Sequence, residues 1–261
     1  MRRINNHGVE LAVADVGDGL PVLLLHGFPD RGTLWRHQVR ALTQSGFRAI
    51  VPDLRGFGDS DKPAEVSEYR VGRSVADVVA ILDALNISRA DVIGHDWGAG
   101  VAWAMSLMAP QRVNRLVVLS VGHPAVWATP TLEDRQHSWY QLLFLFPEAE
   151  ELLRRDDYAF AREWAATHPE LEGALETLAS TPALNWYRAN LHPRRALEPP
   201  MVLPPVQARV LGVWSSGDVF VTERQMQASP LDRYERIDGA GHWMQLDAPD
   251  RVNELLLEHL T

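Results

Sequence analysis

Short, almost wholly apolar runs recur along the chain, each closed by a turn signal: PVLLLHG (21–27), FRAIVPD (47–53), ADVIGHD (90–96), RLVVLSVG (115–122), ARVLGVWSSGD (208–218) and YERIDGAGH (234–242). Apolar runs of this length without polar alternation read as strands covered on both faces, the mark of a parallel sheet. Between them the period changes. Val75, Val78, Val79, Leu82 and Leu85 share one helical face, and so do Val252, Leu255, Leu256 and Leu260 near the end of the chain. From about Pro124 to Pro205 the strand-like runs vanish, and Trp, Tyr, Leu, Arg and Glu follow one another in helical order up to the proline cluster EPPMVLPP. The pattern predicts an α/β core, residues 1–123 and 206–261, interrupted by a helical cap over residues 124–205. No internal repeat or low-complexity tract breaks it.

Composition narrows the picture. A chain of 261 residues, 46% hydrophobic and 23% charged, is long enough for one large core plus an insertion. A net charge of -9 without a basic run weighs against nucleic acid and favours a small, uncharged partner. The absence of cysteine excludes disulfides and thiolate metal sites, and no histidines stand at zinc spacing, so neither a metal nor a cofactor is expected. The start MRRINNHGVELAV has no apolar signal core, and no run approaches the ~20 apolar residues of a membrane span, so a cytoplasmic location is expected.

The stretch VIGHDWGAGVAWAM (92–105) carries the chemistry. Gly94 and Gly98 flank Asp96 at two residues on either side, between an apolar run and a helix-forming one. This is the context of a nucleophile elbow, where a sharp turn leaves no room for side chains at the flanking positions. The plain alternative is a glycine-rich connection in which Asp96 caps the following helix. Two other stretches favour the elbow. HGFPD (26–30) follows the first strong strand, where such folds place a loop whose backbone faces the elbow, so the N–H groups of Phe28 and Trp97 would form an oxyanion hole. Asp218 closes one late strand and His242 follows the last, in the chain order nucleophile, acid, base. Of the ten histidines His242 alone has this support; His26 and His95 are expected to brace the loop and the elbow.

A carboxylate with an ordinary pKa of about 3.9 is ionised at neutral pH and needs no base to attack. Attack on an ordinary ester would give an anhydride, whereas attack on a saturated carbon bearing a leaving group gives an alkyl ester of Asp96. His242, oriented by Asp218, can then activate water to hydrolyse that ester while the two N–H groups hold the oxyanion. Epoxides and alkyl halides both meet this description. An epoxide oxygen needs a proton donor as the ring opens, and tyrosine, with a pKa of about 10, suits a developing alkoxide. A halide needs N–H donors instead.

The blocks HGFPDRGTLWRHQV, VPDLRGFGDSDKP, GHDWGA and GHWMQLDAPDRVNELL, with SWYQLLFLFPEAEELL and ALNWYRANL in the cap, resemble those of the epoxide hydrolases of the α/β-hydrolase fold across nearly the whole chain. The resemblance implies a mostly parallel eight-stranded sheet flanked by helices, with an inserted cap. It implies Asp96 as nucleophile, Asp218 and His242 as the charge pair, Tyr140 and Tyr187 as donors to the epoxide oxygen, and no cofactor. It also implies an oxyanion loop of His26, Gly27, Phe28 and Pro29, with His26, Gly27, Pro29 and Trp97 beside an apolar epoxide and water; whether the chain is a homodimer stays open. The core blocks are shared with haloalkane and fluoroacetate dehalogenases, in which Trp97 could serve a halide through its indole, but Phe28 stands where haloalkane dehalogenases place Asn. A non-catalytic ligand-binding member of the fold is a third reading, which a complete set of Asp96, Asp218 and His242 disfavours. Trp139, Phe144 and Trp164 read as cap core. His123, in SVGHP at the cap hinge, reads as capping a strand end or, if it turns inward, as a pocket residue.

Because the carboxylate and the charge pair complete the chemistry, dialysis against EDTA is expected to leave epoxide turnover unchanged. Loss of activity restored by a divalent ion would overturn the metal-free reading.

Overall fold

The computed structural model describes residues 1–199 and 201–261; Pro200, in the proline cluster expected to close the cap, lies outside the described residues. Strands β1 (Arg2–Asn6), β2 (Val9–Val16), β3 (Leu20–Leu25), β4 (Phe47–Pro52), β5 (Ala90–His95), β6 (Val113–Leu119), β7 (Arg209–Gly217) and β8 (Arg233–Gly241) form one sheet of eight, in the order β1-β2-β4-β3-β5-β6-β7-β8. All pairings from β4 to β8 are parallel. Each apolar run read from the sequence becomes one of these strands. All six residues of β5 are buried, as expected of a central strand with helices on both faces.

The first two strands are an addition to those runs. They form an antiparallel hairpin, and β2 pairs antiparallel with β4. Its two-residue turn has positive φ at both positions, His7 (50°) and Gly8 (92°), the mirror-image geometry that matches strand twist. Ile4, Leu11 and Val13 are buried, while much of the remainder is polar and exposed. An edge hairpin of this kind lacks the continuous apolar run that marks a central strand.

Helices α1 (Arg36–Gln44), α2 (Val71–Ala84) and α3 (Trp97–Met108) cover the sheet, joined near the end of the chain by α10 (Glu223–Gln227), α11 (Met244–Asp247) and α12 (Pro249–Leu260). Val75, Val78 and Leu82 of α2, and Val252, Leu255, Leu256 and Leu260 of α12, are all buried, as their spacing requires. Between β6 and β7 the chain forms α4 (Pro124–Trp127), α5 (Leu132–His137), α6 (Tyr140–Leu143), α7 (Ala149–Trp164), α8 (Leu171–Leu178) and α9 (Thr181–Asn190), and no strand occurs there among the described residues. These helices form the cap. Within α7 the backbone leaves helical geometry at Arg155, and Asp156, Asp157 and Tyr158 have positive φ.

The strand order places the functional loops. From β3 the chain moves outward to β4 on one side, then returns to β5 on the other, so the loops after β3 and β5 diverge at a topological switch point. In open α/β sheets that crevice is where ligands bind. HGFPD and Asp96 leave the sheet there side by side, since Leu25 pairs with Gly94.

A buried ion pair ties this region together. Arg55, in the loop after β4, donates through two nitrogens to Asp77 of α2 at 2.6 and 2.7 Å, and both side chains are almost wholly enclosed. The Arg55 carbonyl accepts the indole N–H of Trp186 in α9 at 3.0 Å, so the same residue also seats the cap. Removing one member of such a pair leaves a buried charge without a partner, at a cost of about 3–5 kcal/mol. Arg55 also meets Glu68 at 3.1 Å, so Asp77→Ala is expected to lower unfolding free energy by up to about that amount in urea titrations. A loss no larger than that of a surface substitution would show that the pair contributes little.

Candidate active site

Asp96 sits at the turn between β5 and α3 with φ 52° and ψ -122°, a strained conformation for a residue with a Cβ. The turn can be this tight because a Cβ on Gly98 would lie 2.1 Å from the Leu25 carbonyl oxygen. Asp96 holds the N-cap position of α3, yet its side chain makes no capping bond. Its Oδ1 instead accepts the Phe28 N–H at 2.7 Å, and the Trp97 N–H, like that of Phe28, favours the charged carboxylate. This sets aside the reading of Asp96 as a helix cap. Gly27 permits the approach, since a Cβ there would stand 2.3 Å from Asp96 Oδ1.

His242 follows β8, and its Nε2 stands 3.8 Å from Asp96 Oδ2. Its Nδ1 meets Asp218 Oδ2 at 2.8 Å, and the other Asp218 oxygen accepts the N–H groups of Phe220 (2.9 Å) and Val221 (3.0 Å). Asp218 therefore holds the proton on Nδ1 and leaves Nε2 facing the nucleophile. Burial opposes charge on His242, but the Asp218 charge and hydrogen bond, with the Asp96 charge, more than offset it and raise the pKa above the usual histidine range. His95 stands behind, with Nε2 2.9 Å from the His242 carbonyl, and burial together with the His242 charge holds its pKa well below that range. It stays neutral and anchors the backbone of the base.

His26 has both ring nitrogens engaged by backbone: Nδ1 meets the Gly27 carbonyl at 2.9 Å and Nε2 accepts the Leu54 N–H at 2.9 Å. Expected both as a brace and beside the substrate, it keeps no polar ring atom to offer a ligand, and it ties the HGFPD loop to the loop after β4. Pro29 is buried and joined to Phe28 by a cis peptide. His123 neither caps a strand nor bonds any site residue: its Nδ1 accepts the Ala125 N–H at 3.3 Å, capping α4, and its ring lies edge-on to Trp103.

The cap closes the site with aromatic rings. Tyr140 and Tyr187 are buried, and their rings stand edge-on with centroids 6.2 Å apart. Burial first, then neighbouring negative charge including that of Asp96, pushes both hydroxyls far above the usual tyrosine range, so both keep their protons. The Trp97 ring stands edge-on to Tyr187, with centroids 5.2 Å apart. Two of the aromatics read as cap core lie elsewhere. Trp139 is 49% exposed, because the short α5–α6 segment turns that position outward. Trp164 is half-buried and packs on Tyr140 (4.8 Å), Phe220 (5.1 Å) and Phe28 (6.3 Å), so it walls the site. Phe144 is fully buried, as expected.

Asp30 and His168 received no role from the sequence. Asp30 accepts the Trp243 indole N–H at 2.8 Å and meets His168 Nε2 of the cap at 3.2 Å, and its charge acts on both Asp96 and His242. The only sequence signal for Asp30 was its place in HGFPD; His168 had none. Among the described residues no group of three or more His, Cys, Asp or Glu could hold a metal ion, and no helix is long and apolar enough to cross a membrane.

A carboxylate on a strand–turn–helix elbow, faced by two backbone N–H groups and a histidine–aspartate pair, defines a covalent hydrolase architecture. Residues 21–249 match the family described as alpha/beta hydrolase fold, and the chain belongs to that family. It is similar to an AB hydrolase superfamily protein of Bacillus subtilis, 31% identical over 98% of this chain and 96% of that protein. It is also similar to an epoxide hydrolase of Caballeronia sordidicola, 32% identical over 98% of this chain and 92% of the relative. A solved epoxide hydrolase from metagenomes of hot environments superposes with a TM-score of 0.87 at 28% identity, covering 100% of this chain and 98% of its own.

Desolvation pushes the Asp96 carboxyl up to about 6, with the His242 charge and the Phe28 and Trp97 N–H groups acting in the opposite direction. Attack requires the anion, so the single-turnover rate of epoxide consumption is expected to climb as pH rises through about 6 and to level off above it. Rapid-quench rates across that interval test this; a midpoint near 4 would mean that the carboxylate is not desolvated.

Proposed function

We propose that the chain is an epoxide hydrolase that converts epoxides to vicinal diols through an ester on Asp96. The observation that carries this reading is the pair of buried, protonated tyrosine hydroxyls of the cap, which feel the charge of the same carboxylate that accepts the Phe28 N–H. Proton donors enclosed with an anionic nucleophile suit a leaving oxygen that stays attached to the substrate. The resemblance of the chain to named epoxide hydrolases supports the same reading.

In the first step an Asp96 oxygen attacks an epoxide carbon, the C–O bond breaks, and Tyr140 or Tyr187 supplies the proton for the leaving oxygen. Esterification removes the anion that stabilised a protonated His242, so the imidazole gives up its proton more readily and stands neutral, able to accept one, when a base is needed. In the second step His242 takes a proton from water, the resulting hydroxide attacks the Asp96 carbonyl carbon, and the N–H groups of Phe28 and Trp97 hold the oxyanion. Collapse passes the remaining hydroxide proton to the leaving alkoxide, releasing the diol and the carboxylate, and the proton on His242 returns to the tyrosinate left by the first step. Apolar walls of Phe28, Trp164 and Phe220 favour an uncharged substrate.

A dehalogenase of the same fold is the weaker reading, because Phe28 offers no side-chain donor where a halide would need one. A binding protein would have no use for the strained elbow, which costs on the order of 1–3 kcal/mol.

His242→Gln is expected to form the ester but not hydrolyse it. Intact-protein mass spectrometry after exposure to an epoxide should show the whole substrate mass added, and peptide mapping should place it on Asp96. A dehalogenase would add the mass of its substrate less hydrogen halide. An adduct elsewhere, or none with epoxides that the unmodified enzyme consumes, would defeat the mechanism.

A further inference from the structure

The mechanism leaves two buried carboxylates of the cap unused, Glu150 and the more deeply enclosed Asp134. Asp134 lies in α5, and its side chain is 1% exposed. It forms a capping box with Thr131: its N–H donates to Thr131 Oγ1 at 3.2 Å, and its Oδ2 accepts the Thr131 N–H at 2.7 Å. A capping box needs no burial, since it is complete at a helix end facing water. Here the carboxylate also reaches across the chain into the core. Its Oδ1 accepts the Thr222 hydroxyl and its Oδ2 accepts the Arg224 guanidinium. Burial acts to raise its pKa, but the Arg224, Thr222 and Thr131 donors more than offset this and hold the carboxyl down at about 2.

The two core partners are not arbitrary positions. Thr222 and Arg224 follow Asp218 closely in sequence, and Thr222 is the N-cap of α10, where the loop bearing the acid ends. The contact continues along both segments. His137 Nδ1 meets the Val219 carbonyl at 3.1 Å, and the Tyr140 ring stands edge-on to Phe220 at 5.5 Å. From Asp134 toward Tyr140 the cap segment is stitched further: Ser138 Oγ donates to the Asp134 carbonyl at 2.7 Å, and Gln141 N–H donates to the Ser138 carbonyl at 3.1 Å. The strip of cap that carries Tyr140 is thus laid along the loop that carries Asp218, with its one buried charge at the start of the seam.

We infer that Asp134 is a positioning residue for epoxide opening: by pinning the cap to the loop 218–224, it sets the position of the Tyr140 hydroxyl over Asp96. This rests on the reading of Tyr140 as proton donor. A buried ion pair is a poor source of net stability but a good one of register, because a misplaced partner leaves a charge unpaired in a medium of low dielectric. Asp134 touches neither substrate nor reacting atoms; it acts through the segment it holds.

The test is a double-mutant cycle on the full-length enzyme with styrene oxide as probe, reading ester formation by rapid quench and ester hydrolysis from its decay. Asp134→Asn is expected to slow ester formation about 10- to 100-fold, up to the cost of misplacing a reacting group by about 1 Å, and to change ester hydrolysis much less. In a Tyr140→Phe background the same substitution should add almost nothing, because the hydroxyl it would misplace is already gone. Thr222→Val removes one donor and keeps the ion pair, so it should show the same pattern more weakly and serve if Asp134→Asn folds poorly. Losses that multiply fully across the cycle, equal slowing of both steps, or an unchanged rate in Asp134→Asn would overturn the inference while leaving the donor reading in place. A normal rate of ester formation in Tyr140→Phe would overturn the reading of Tyr140 as donor, and this inference with it, and would leave that role to Tyr187.

Discussion

The hydrogen bond from the Phe28 N–H to Asp96 Oδ1, 2.7 Å long, joins loops that are 68 residues apart in sequence, and the rest of the site is arranged around it. It forms because β3 and β5 are parallel neighbours whose chains diverge beyond their carboxyl ends. Gly27 and Gly98 are required by the same approach, since a Cβ on either would overlap atoms of the facing segment. The bond also accounts for the persistence of the elbow. A residue at φ 52° and ψ -122° survives only where its surroundings over-determine it, and here the sheet, the Phe28 and Trp97 N–H groups and α3 all act on the same turn.

Once the carboxylate is placed, its enclosure governs the electrostatics. Desolvation raises Asp96, lowers His95 and raises both tyrosines, while Asp218 keeps His242 chargeable against the same trend. Each shift favours the form the proposed reaction needs: a nucleophile made more basic, a neutral brace, and donors that keep their protons. In a medium of low dielectric these charges interact more strongly than they would in water, so making or removing the Asp96 anion changes the histidine beside it. The core could not produce this alone. The tyrosines and Trp164 come from the cap, and it is held to the core by polar contacts at separate points: Trp186 to Arg55, His168 to Asp30, and Asp134 to Thr222 and Arg224.

Much of the core was legible because its signals are local. The glycines around Asp96, the apolar runs and the positions of Asp218 and His242 after their strands lie within short stretches, and a strand–turn–helix unit is a short-range object. The edge hairpin of β1 and β2 was not read, because strands with one exposed face and few apolar residues carry a faint pattern. Trp139 and Trp164 show the limit inside the cap. Both look like core aromatics, yet one faces outward and the other faces the nucleophile's surroundings. Helical periodicity says which residues share a face, and is silent on what that face meets.

The amino-acid sequence by itself determined the available chemistry: a carboxylate where the elbow demands a nucleophile, a histidine and an aspartate in the order that serves it, and no thiol. These are properties of residue type and short spacing. Only the tertiary structure decided how each group behaves. That His26 spends both nitrogens on backbone, that the Trp97 ring packs edge-on against Tyr187, and that Asp30 of the core and His168 of the cap meet are consequences of segments far apart in the chain being packed together. The physical reason is that desolvation, hydrogen-bond partners and charge proximity depend on three-dimensional neighbours, and these are set by how the cap lies on the sheet.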